Sequence, residues 1–342
     1  MIRAILTALV LLTGTPAVAQ PLIIAHRGAS GERPEHTRVA YELAIEQGAD
    51  LIEPDLVLTR DGVFVDRHEN EIGGTTDVEG RPEFADRKTT KTIDGVKTTG
   101  WFTEDFTLAE LKTLRARERL AAFRPGSAAF DGQEPILTFD EVVAIARAAS
   151  ARTGRTIAVA PELKHPSYFA GIGLPMEDAF VGELERLGLT GAEAPIIIQC
   201  FEVGPLERLA TRIDAPLAQL VAGAGGPVDR PDLTYARMIA PEGLKAIAAY
   251  AAWVAPEMTM VLPRDAQGRS AAPSTLVGDT HAAGLKVVVW TVRAENAFLP
   301  AEHRRGEGLA DHGDMAAYVR ALAETGVDAI FSDFPGLARA GL

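Results

Sequence analysis

Two carboxylates that are two residues apart in a strand-like run could do chemistry together. Glu53 and Asp55 lie in the apolar run Asp50–Val57, and residues two apart in a strand share a face. Carboxylates held close together repel each other unless a proton or a cation relieves them, and a divalent oxygen-binding ion is the simplest relief. Pro54 cannot donate to a neighbouring strand, so regular pairing is expected to weaken there. On its own, the pair also fits two solvated acids on an edge strand.

Histidine and arginine residues follow two other strand-like runs. Leu22–Ala25 leads into His26 and Arg27, and Val63–Arg67 leads into His68. A guanidinium binds phosphate through two parallel hydrogen bonds, and two imidazoles can divide the roles of general base and general acid. Ligands bind at the carboxyl ends of the strands in parallel α/β folds. These residues, with the carboxylate pair, therefore form a set suited to cleaving a phosphodiester.

A later run adds a third carboxylate and a lysine. Ile157–Lys164 is strand-like, and its alternation places Glu162 and Lys164 on one face. Glu162 would complete a set of three carboxylates around a cation, and Lys164 would offer a point charge to a phosphate. Taken alone, the two residues fit a surface ion pair equally well. Beside the other motifs, they favour a functional interpretation.

The sequence resembles the glycerophosphodiester phosphodiesterase family, and specifically its periplasmic branch. The residues that carry the resemblance are His26-Arg27-Gly28-Ala29-Ser30-Gly31, Pro34-Glu35-His36-Thr37, Gln47-Gly48-Ala49-Asp50, Glu53-Pro54-Asp55-Leu56, Asp61-Gly62 through His68, Glu162-Leu163-Lys164, Gln199-Cys200-Phe201 and Trp290-Thr291-Val292. The chain differs from many relatives at His36, which replaces Asn, and at Cys200, which replaces Ser. It also has Glu69 after His68, where the family often has Asp. The similarity extends over essentially all of the chain after residue 19.

The resemblance implies hydrolysis of glycerophosphodiesters to sn-glycerol 3-phosphate and an alcohol. One divalent cation, Ca²⁺ or Mg²⁺, would be held by Glu53, Asp55 and Glu162. Catalysis would use His26 and His68, and substrate binding would use Arg27, Lys164, Gln199, Phe201 and Trp290. The sequence leaves open which histidine is the base, and whether water or a glycerol hydroxyl attacks first.

Two other functions remain open. One is a metal-independent, phospholipase C-like phosphodiesterase, for which the three carboxylates would be unexplained and chelation would be harmless. The other is a non-enzymatic protein that binds glycerophosphodiesters for uptake, for which an acid and a base would be superfluous.

The spacing of apolar runs predicts the elements that must position these residues. Strand-like runs begin near residues 22, 50, 157, 195, 216, 253, 286 and 327 and are separated by helix-sized intervals. This alternation predicts an α/β fold, a (β/α)₈ TIM barrel, with an open doubly wound sheet as the alternative. Helices are expected over residues 37–47, 139–151 and 177–187. A polar stretch, residues 69 to about 135, predicts an inserted segment after the second strand, with a short helix at 108–111.

Composition and the N-terminus limit the setting in which the protein acts. Residues 1–19 have a basic start, an apolar core and the small residues that precede signal-peptide cleavage, so cleavage after Ala19 and a periplasmic single domain over 20–342 are expected. The net charge of −13 argues against a nucleic-acid partner. No other run is long and apolar enough to span a membrane. The single cysteine, Cys200, excludes an internal disulfide. A monomer and a homodimer both remain open.

Overall fold

The structure, a computed structural model, describes residues 20–342, so the predicted signal peptide lies outside the described residues. Within this range the strands are β1 Leu22–His26, β2 Leu51–Glu53, β3 Asp55–Leu58, β4 Phe64–Asp66, β5 Thr89–Ile93, β6 Val96–Gly100, β7 Ala158–Val159, β8 Glu162–Leu163, β9 Ile198–Cys200, β10 Leu217–Val221, β11 Trp253–Pro256, β12 Lys286–Val292 and β13 Ala329–Ser332.

The α-helices in the same range alternate with the strands. They are α1 Arg38–Glu46, α2 Leu108–Leu111, α3 Pro125–Ala128, α4 Phe139–Thr153, α5 Pro166–Gly171, α6 Met176–Leu187, α7 Val203–Ala210, α8 Tyr235–Met238, α9 Pro241–Ile247, α10 Met258–Val261, α11 Leu276–Ala282, α12 Met315–Ala323 and α13 Pro335–Ala340. Short 3₁₀ helices span Val78–Gly80, Pro82–Arg87, Thr103–Asp105 and Ala301–His303. None of these helices has the length and apolar character needed to cross a membrane.

The parallel strands close into a barrel with the predicted (β/α)₈ order. Strand β1 pairs with β13 on one side and with β2 on the other, and β8 to β13 pair in sequence. Two barrel strands are each split into halves, β2 with β3 and β7 with β8. Strand β2 pairs with β7, and β3 pairs with β8. Pro54 separates β2 from β3 and Pro161 lies between β7 and β8, as expected for residues that lack a backbone N–H.

Strand β4 was predicted as a strand but was not among the eight predicted barrel strands, and its direction was left undefined. The run that precedes His68 is a strand, but it pairs antiparallel with β3, with Leu56 opposite Asp66. It therefore does not belong to the parallel barrel. Strand β3 extends beyond the level of Glu53, and β4 returns along it, so His68 is delivered to the barrel mouth by a hairpin.

The barrel interior explains why the polar residues form a ring at its mouth. Small and apolar side chains fill the interior, among them Ile24, Leu51, Ala160, Ala218, Val288 and Ala329. Since inward-facing residues recur every second position, the residues two positions further on face inward one level higher. On β1, β2 and β8 these are His26, Glu53 and Glu162. The polar residues therefore lie directly above the apolar layer, and burial of the apolar side chains fixes the position of the polar ones.

The helices confirm the predicted periodicity, and their ends have identifiable causes. Helix α4 begins after Thr138, whose side chain and that of Glu141 form a capping box, and it ends two residues later than predicted. Helix α1 is capped at its start by Thr37, and Gly48 follows its end with φ 93°.

The inserted segment packs against the barrel and shares its hydrophobic core. Phe84, Trp101, Phe106 and Leu111 belong to the same cluster of buried side chains as Leu56 of the barrel. Its antiparallel hairpin, β5 with β6, is the separate two-stranded sheet of the fold. The polar composition therefore concealed a buried apolar face, and the segment is anchored at several points.

Candidate active site

A cleft of about 500 Å³ at the barrel mouth collects most of the predicted site residues. Eight of the ten line it, namely His26, Arg27, Glu53, His68, Glu162, Gln199, Phe201 and Trp290. Asp55 lies beneath it, fully buried. Lys164 lines a neighbouring cavity that shares Glu162 and Phe201 with the cleft. Residues that are far apart in the sequence are therefore brought to one opening.

Three carboxylates form a cluster with the dimensions of a metal site. Ligand oxygens of Glu53, Asp55 and Glu162 all lie within 4.8 Å of one another. Burial and the nearby charge of Asp55 raise the pKa of Glu53 well above its ordinary value. Burial, opposed by Lys164 and reinforced by Asp55, raises the pKa of Glu162 to about 7. Crowding of this kind is relieved when a cation binds.

One carboxylate oxygen supports the same interpretation. Asp55 Oδ1 is buried and has no hydrogen-bond partner, although buried polar atoms almost always have one. The other oxygen, Oδ2, lies 2.9 Å from His36 Nε2 and 3.3 Å from Arg27 Nε. Asp55 is therefore held from one side and presents an uncommitted oxygen on the other, which is what a metal ligand requires.

Arg27 is fixed by an unusual backbone conformation. Its φ is 60°, a left-handed value that is uncommon outside glycine and tends to occur at functional sites. The backbone N–H donates to Glu53 Oε2 at 2.7 Å, and the guanidinium donates to Glu35 Oε2 at 3.1 Å. Gly28 follows with φ 84°, and a Cβ there would lie 2.7 Å from the Ala40 backbone carbon. This turn therefore needs its glycine.

His26 is held by a carboxylate that the sequence interpretation did not include. Its Nδ1 lies 2.6 Å from Asp333 Oδ1, and Asp333 follows the last barrel strand. This contact leaves Nε2 for the cleft. Burial and the neighbouring Arg27 lower the pKa of His26 to about 4, although Asp333 acts in the opposite direction. His26 is therefore neutral near pH 7 when no substrate is bound.

His68 stands between charges of both signs. Its Nε2 lies 3.3 Å from Lys164 Nζ. Its Nδ1 lies 2.8 Å from Glu69 Oε1, at ion-pair distance but without hydrogen-bond alignment. Burial and the cations Arg27 and Lys164 lower the pKa of His68 to about 3. Lys164 also donates to Glu162 Oε1 at 2.9 Å, so it links the carboxylate cluster to this imidazole.

An aromatic wall closes one side of the cleft. The rings of Phe201 and Trp290 meet edge to face with centroids 5.7 Å apart, and Trp290 Nε1 donates to the Ala255 carbonyl at 2.8 Å. Gln199 lies below them, with Nε2 3.0 Å from the Ala160 carbonyl and 3.4 Å from Glu53 Oε1. The wall offers apolar contact next to polar groups.

Several residues near the site were not selected from the sequence. Arg293 lines the cleft and Asp333 holds His26. Both follow barrel strands, so the strand-end rule could have found them. Arg124 comes from the inserted segment and donates to Asp333 Oδ2 at 2.6 Å. His165 lies 3.0 Å from Glu69. His165 comes directly after Lys164 at the end of β8, so the same rule could have found it. No local signal pointed to Arg124, because its partner Asp333 is distant in the sequence.

Comparison with known proteins agrees with the geometry. A profile of the glycerophosphoryl diester phosphodiesterase family matches residues 26–337. The chain belongs to this family. It is 36% identical over 330 residues to a glycerophosphodiester phosphodiesterase of Arabidopsis thaliana, covering 93% of this chain and 85% of the relative. It is 26% identical to the glycerophosphodiester phosphodiesterase of Haemophilus influenzae, covering 95% and 90%.

Solved structures of family members share the fold. A phosphodiesterase of Oleispira antarctica, determined in complex with the product sn-glycerol-3-phosphate, superposes with a TM-score of 0.58 at 22% identity, covering 94% of this chain and 96% of that one. The glycerophosphodiester phosphodiesterase of Thermotoga maritima gives a TM-score of 0.53 at 15% identity, covering 93% and 97%. The TIM-barrel architecture predicted from the sequence is therefore confirmed.

Proposed function

We propose that the protein hydrolyses glycerophosphodiesters to sn-glycerol 3-phosphate and an alcohol, with one divalent cation and two histidines. The observation that carries the proposal is that His26 and His68 open onto one cleft beside a cluster of three buried carboxylates. Membership of the family and the names of its relatives from Arabidopsis thaliana and Haemophilus influenzae support the same reaction.

Glu53, Asp55 and Glu162 would hold the cation, which is Ca²⁺ or Mg²⁺. All three ligands are carboxylates, and hard divalent ions prefer oxygen. The unpartnered Oδ1 of Asp55 fits this assignment. When bound, the ion supplies Lewis-acid polarisation of a phosphoryl oxygen.

The chain's own cations would neutralise the remaining charge on the phosphoryl group. Arg27 lines the cleft and is held charged because Glu35 and Asp55 outweigh burial and raise its pKa. Lys164 contacts Glu162 and His68, so its ammonium would offer a point charge to a phosphoryl group bound beside these residues. Preorganised cations of this kind stabilise the charge that builds in the transition state.

His26 and His68 would act as general base and general acid. Both imidazoles are neutral near pH 7 in the free protein, which suits a base. A bound phosphodiester adds negative charge beside them and raises the pKa of each, which suits an acid. Gln199 would bind the substrate's polar groups, and Phe201 and Trp290 would form the wall against its glycerol carbons.

Leaving-group chemistry tests the roles of the two histidines. A nitrophenolate leaving group needs little protonation as it departs, whereas the alcohol of a natural glycerophosphodiester needs a proton. Loss of the general acid should therefore lower turnover of the natural substrate by about 10²–10⁴-fold and that of the nitrophenyl ester much less. Loss of the base should lower both equally.

The measurement is kcat for both substrates with His26→Ala and His68→Ala. His281→Ala is the matched control, because His281 is also paired with an aspartate, Asp328 at 2.9 Å, but lies outside the cleft. Equal penalties of the two active-site variants on each substrate would contradict the division of roles. Turnover unchanged by chelator would instead favour a metal-independent phosphodiesterase, and binding without any product would favour a transport protein.

We propose in addition that the protein is exported to the periplasm as a single domain over 20–342, after cleavage following Ala19. The support is the signal-like composition of residues 1–19. Mass spectrometry of the native protein should give an N-terminus at Gln20, and retention of Met1 would contradict export by this route.

A further inference from the structure

Three side chains meet at Asp333, namely the imidazole of His26 and the guanidinium groups of Arg124 and Arg293. Oδ1 lies 2.6 Å from His26 Nδ1, while Oδ2 accepts from Arg124 at 2.6 Å and from Arg293 at 2.8 Å. The Asp333 side chain is 3% exposed. Burial would raise its pKa, but Arg293, Arg124 and His26 hold that pKa well below the usual range. The carboxylate is therefore charged, and both of its oxygens are engaged.

Arg124 reaches this carboxylate from the inserted segment. Its guanidinium, whose side chain is 5% exposed, also donates to Glu295 Oε1 at 2.7 Å and to the Ser30 carbonyl at 2.9 Å. It thus joins the turn after β1, the loop after β12 and the end of β13. Arg293 cannot replace it, because the Arg293 side chain is 25% exposed and bonds Asp333 through Nε alone.

The orientation of His26 depends on this junction. A carboxylate at Nδ1 holds the imidazole in the tautomer that leaves Nε2 free, provided that the carboxylate itself stays fixed and ionised. Arg124 fixes the second oxygen of Asp333 and so limits rotation of the carboxylate. His26 makes its other close ring contact with Phe331, edge to face at 6.2 Å, which does not select a tautomer.

We propose that Arg124 is a positioning residue for His26 and acts through Asp333. Docking of the inserted segment on the barrel thereby fixes the orientation of the His26 imidazole. This rests on the proposed function, in which His26 transfers a proton. Arg124 thereby links the inserted segment to the orientation of the imidazole.

The test replaces Arg124 with a side chain of similar length and no charge. Arg124→Met should lower kcat roughly 10–100-fold, the usual cost of a misplaced catalytic group, while KM stays within about three-fold. The ring ¹⁵N signals of His26, followed by NMR with labelled histidine, should change from one tautomer to a mixture. A loss confined to KM, or unchanged His26 signals, would overturn the proposal.

Arg87→Met is the matched control. Arg87 belongs to the same inserted segment and pairs with Glu110 at 3.0 and 2.6 Å, without contact to Asp333. It should leave kcat and the His26 signals unchanged. If it reproduces the effect of Arg124→Met, the segment acts through its general stability, and the positioning role is wrong.

Double substitution separates the pathway through Asp333 from an independent effect. Arg124→Met combined with Asp333→Asn should cost no more in kcat than Asp333→Asn alone, because both changes interrupt the same chain of contacts. Additive losses would overturn the proposal. If Arg124→Met does not fold, Arg124→Met with Glu295→Gln takes its place, since it does not leave Glu295 buried and unpaired.

The NMR readout keeps the two proposals apart. If His26→Ala leaves turnover intact, the catalytic role of His26 fails, yet the His26 signals of the Arg124 variant still show whether Arg124 positions the ring. If His26→Ala abolishes turnover while the Arg124 variant retains wild-type signals and kcat, only the positioning role fails.

Discussion

His36 Nε2 lies 2.9 Å from Asp55 Oδ2, and both side chains are almost fully buried. The opposite ring nitrogen lies 2.6 Å from Asp66 Oδ1. Burial lowers the pKa of His36, but these two aspartates outweigh it and raise that pKa. The folded protein therefore favours the charged imidazole, which lies between Asp55 of the carboxylate cluster and Asp66 of β4, the strand that delivers His68. His36 thus connects the carboxylate cluster to the strand that precedes His68.

We expect His36→Leu to weaken metal binding, because it leaves Asp55 without the partner that orients it. Loss of an outer partner of this kind typically costs about 10–100-fold in metal affinity. Calorimetric titration with Ca²⁺ and Mg²⁺ measures the change. His281→Leu, which breaks an imidazole–carboxylate pair outside the site, should leave the affinity unchanged. Wild-type affinity in His36→Leu would show that Asp55 needs no such support.

Removal of the metal should abolish turnover and lower the melting temperature. Without a cation, Glu53, Asp55 and Glu162 repel one another in a buried cluster. A ligand present at 100 times its Kd adds about 2.7 kcal/mol to the free energy of unfolding, so chelation should lower Tm by several degrees. Thermal melts with and without chelator, followed by restoration with Ca²⁺ or Mg²⁺, check this.

Substitution of one ligand provides the control for chelation. Glu162→Gln removes one of the three charges and should weaken metal binding and the chelator-induced change in Tm together. Glu242→Gln changes an exposed glutamate on α9 that pairs with Lys245, and should respond to chelator as the wild type does. A Tm that is insensitive to chelator in the wild type would contradict the metal assignment.

The cluster and the barrel were predictable from the sequence because they depend on local patterns. Alternation placed Glu53 and Asp55 together, and the apolar runs fixed the order of the barrel strands. Two features required the fold. The antiparallel direction of β4 could not be predicted, because parallel and antiparallel strands both appear in the sequence as short apolar runs. Arg124 was hidden because its partner Asp333 lies 209 residues away, and a polar segment gives no sign of where it folds back.

Cys200 is expected to be structural. Its thiol is buried, its Sγ lies 3.3 Å from the Leu163 carbonyl, and burial raises its pKa well above the ordinary value. A thiol in such surroundings is a poor nucleophile. Cys200→Ser should therefore keep kcat within a few-fold of wild type, and a thiol reagent should label the protein only after denaturation. Rapid labelling of the native protein, or a large fall in kcat with the fold intact, would show a reactive thiol.

His165 should make the stability of the barrel mouth dependent on pH. Its backbone is left-handed, with φ 52°. Its Nε2 lies 3.0 Å from Glu69 Oε2, and its Nδ1 lies 2.5 Å from Oδ2 of Asp94, at the tip of the β5–β6 hairpin. Burial lowers its pKa, but the hydrogen bonds to Asp94 and Glu69 outweigh burial and raise it to about 9. The folded protein therefore favours the charged imidazole.

A pKa raised on folding gives a definite sign to the pH dependence. The contribution of His165 is complete below about pH 6.5, its ordinary pKa, and is lost as the pH rises through about 9; it amounts to at most about 3 kcal/mol. Urea unfolding of wild type and His165→Gln should therefore differ most near pH 6 and least near pH 9.5. The His281 side chain is 43% exposed in its pair with Asp328, and solvent screens that pair. The free energy of unfolding of His281→Gln should therefore differ little from that of wild type at either pH. A difference between wild type and His165→Gln that is the same at both pH values would mean that the imidazole contributes only by packing.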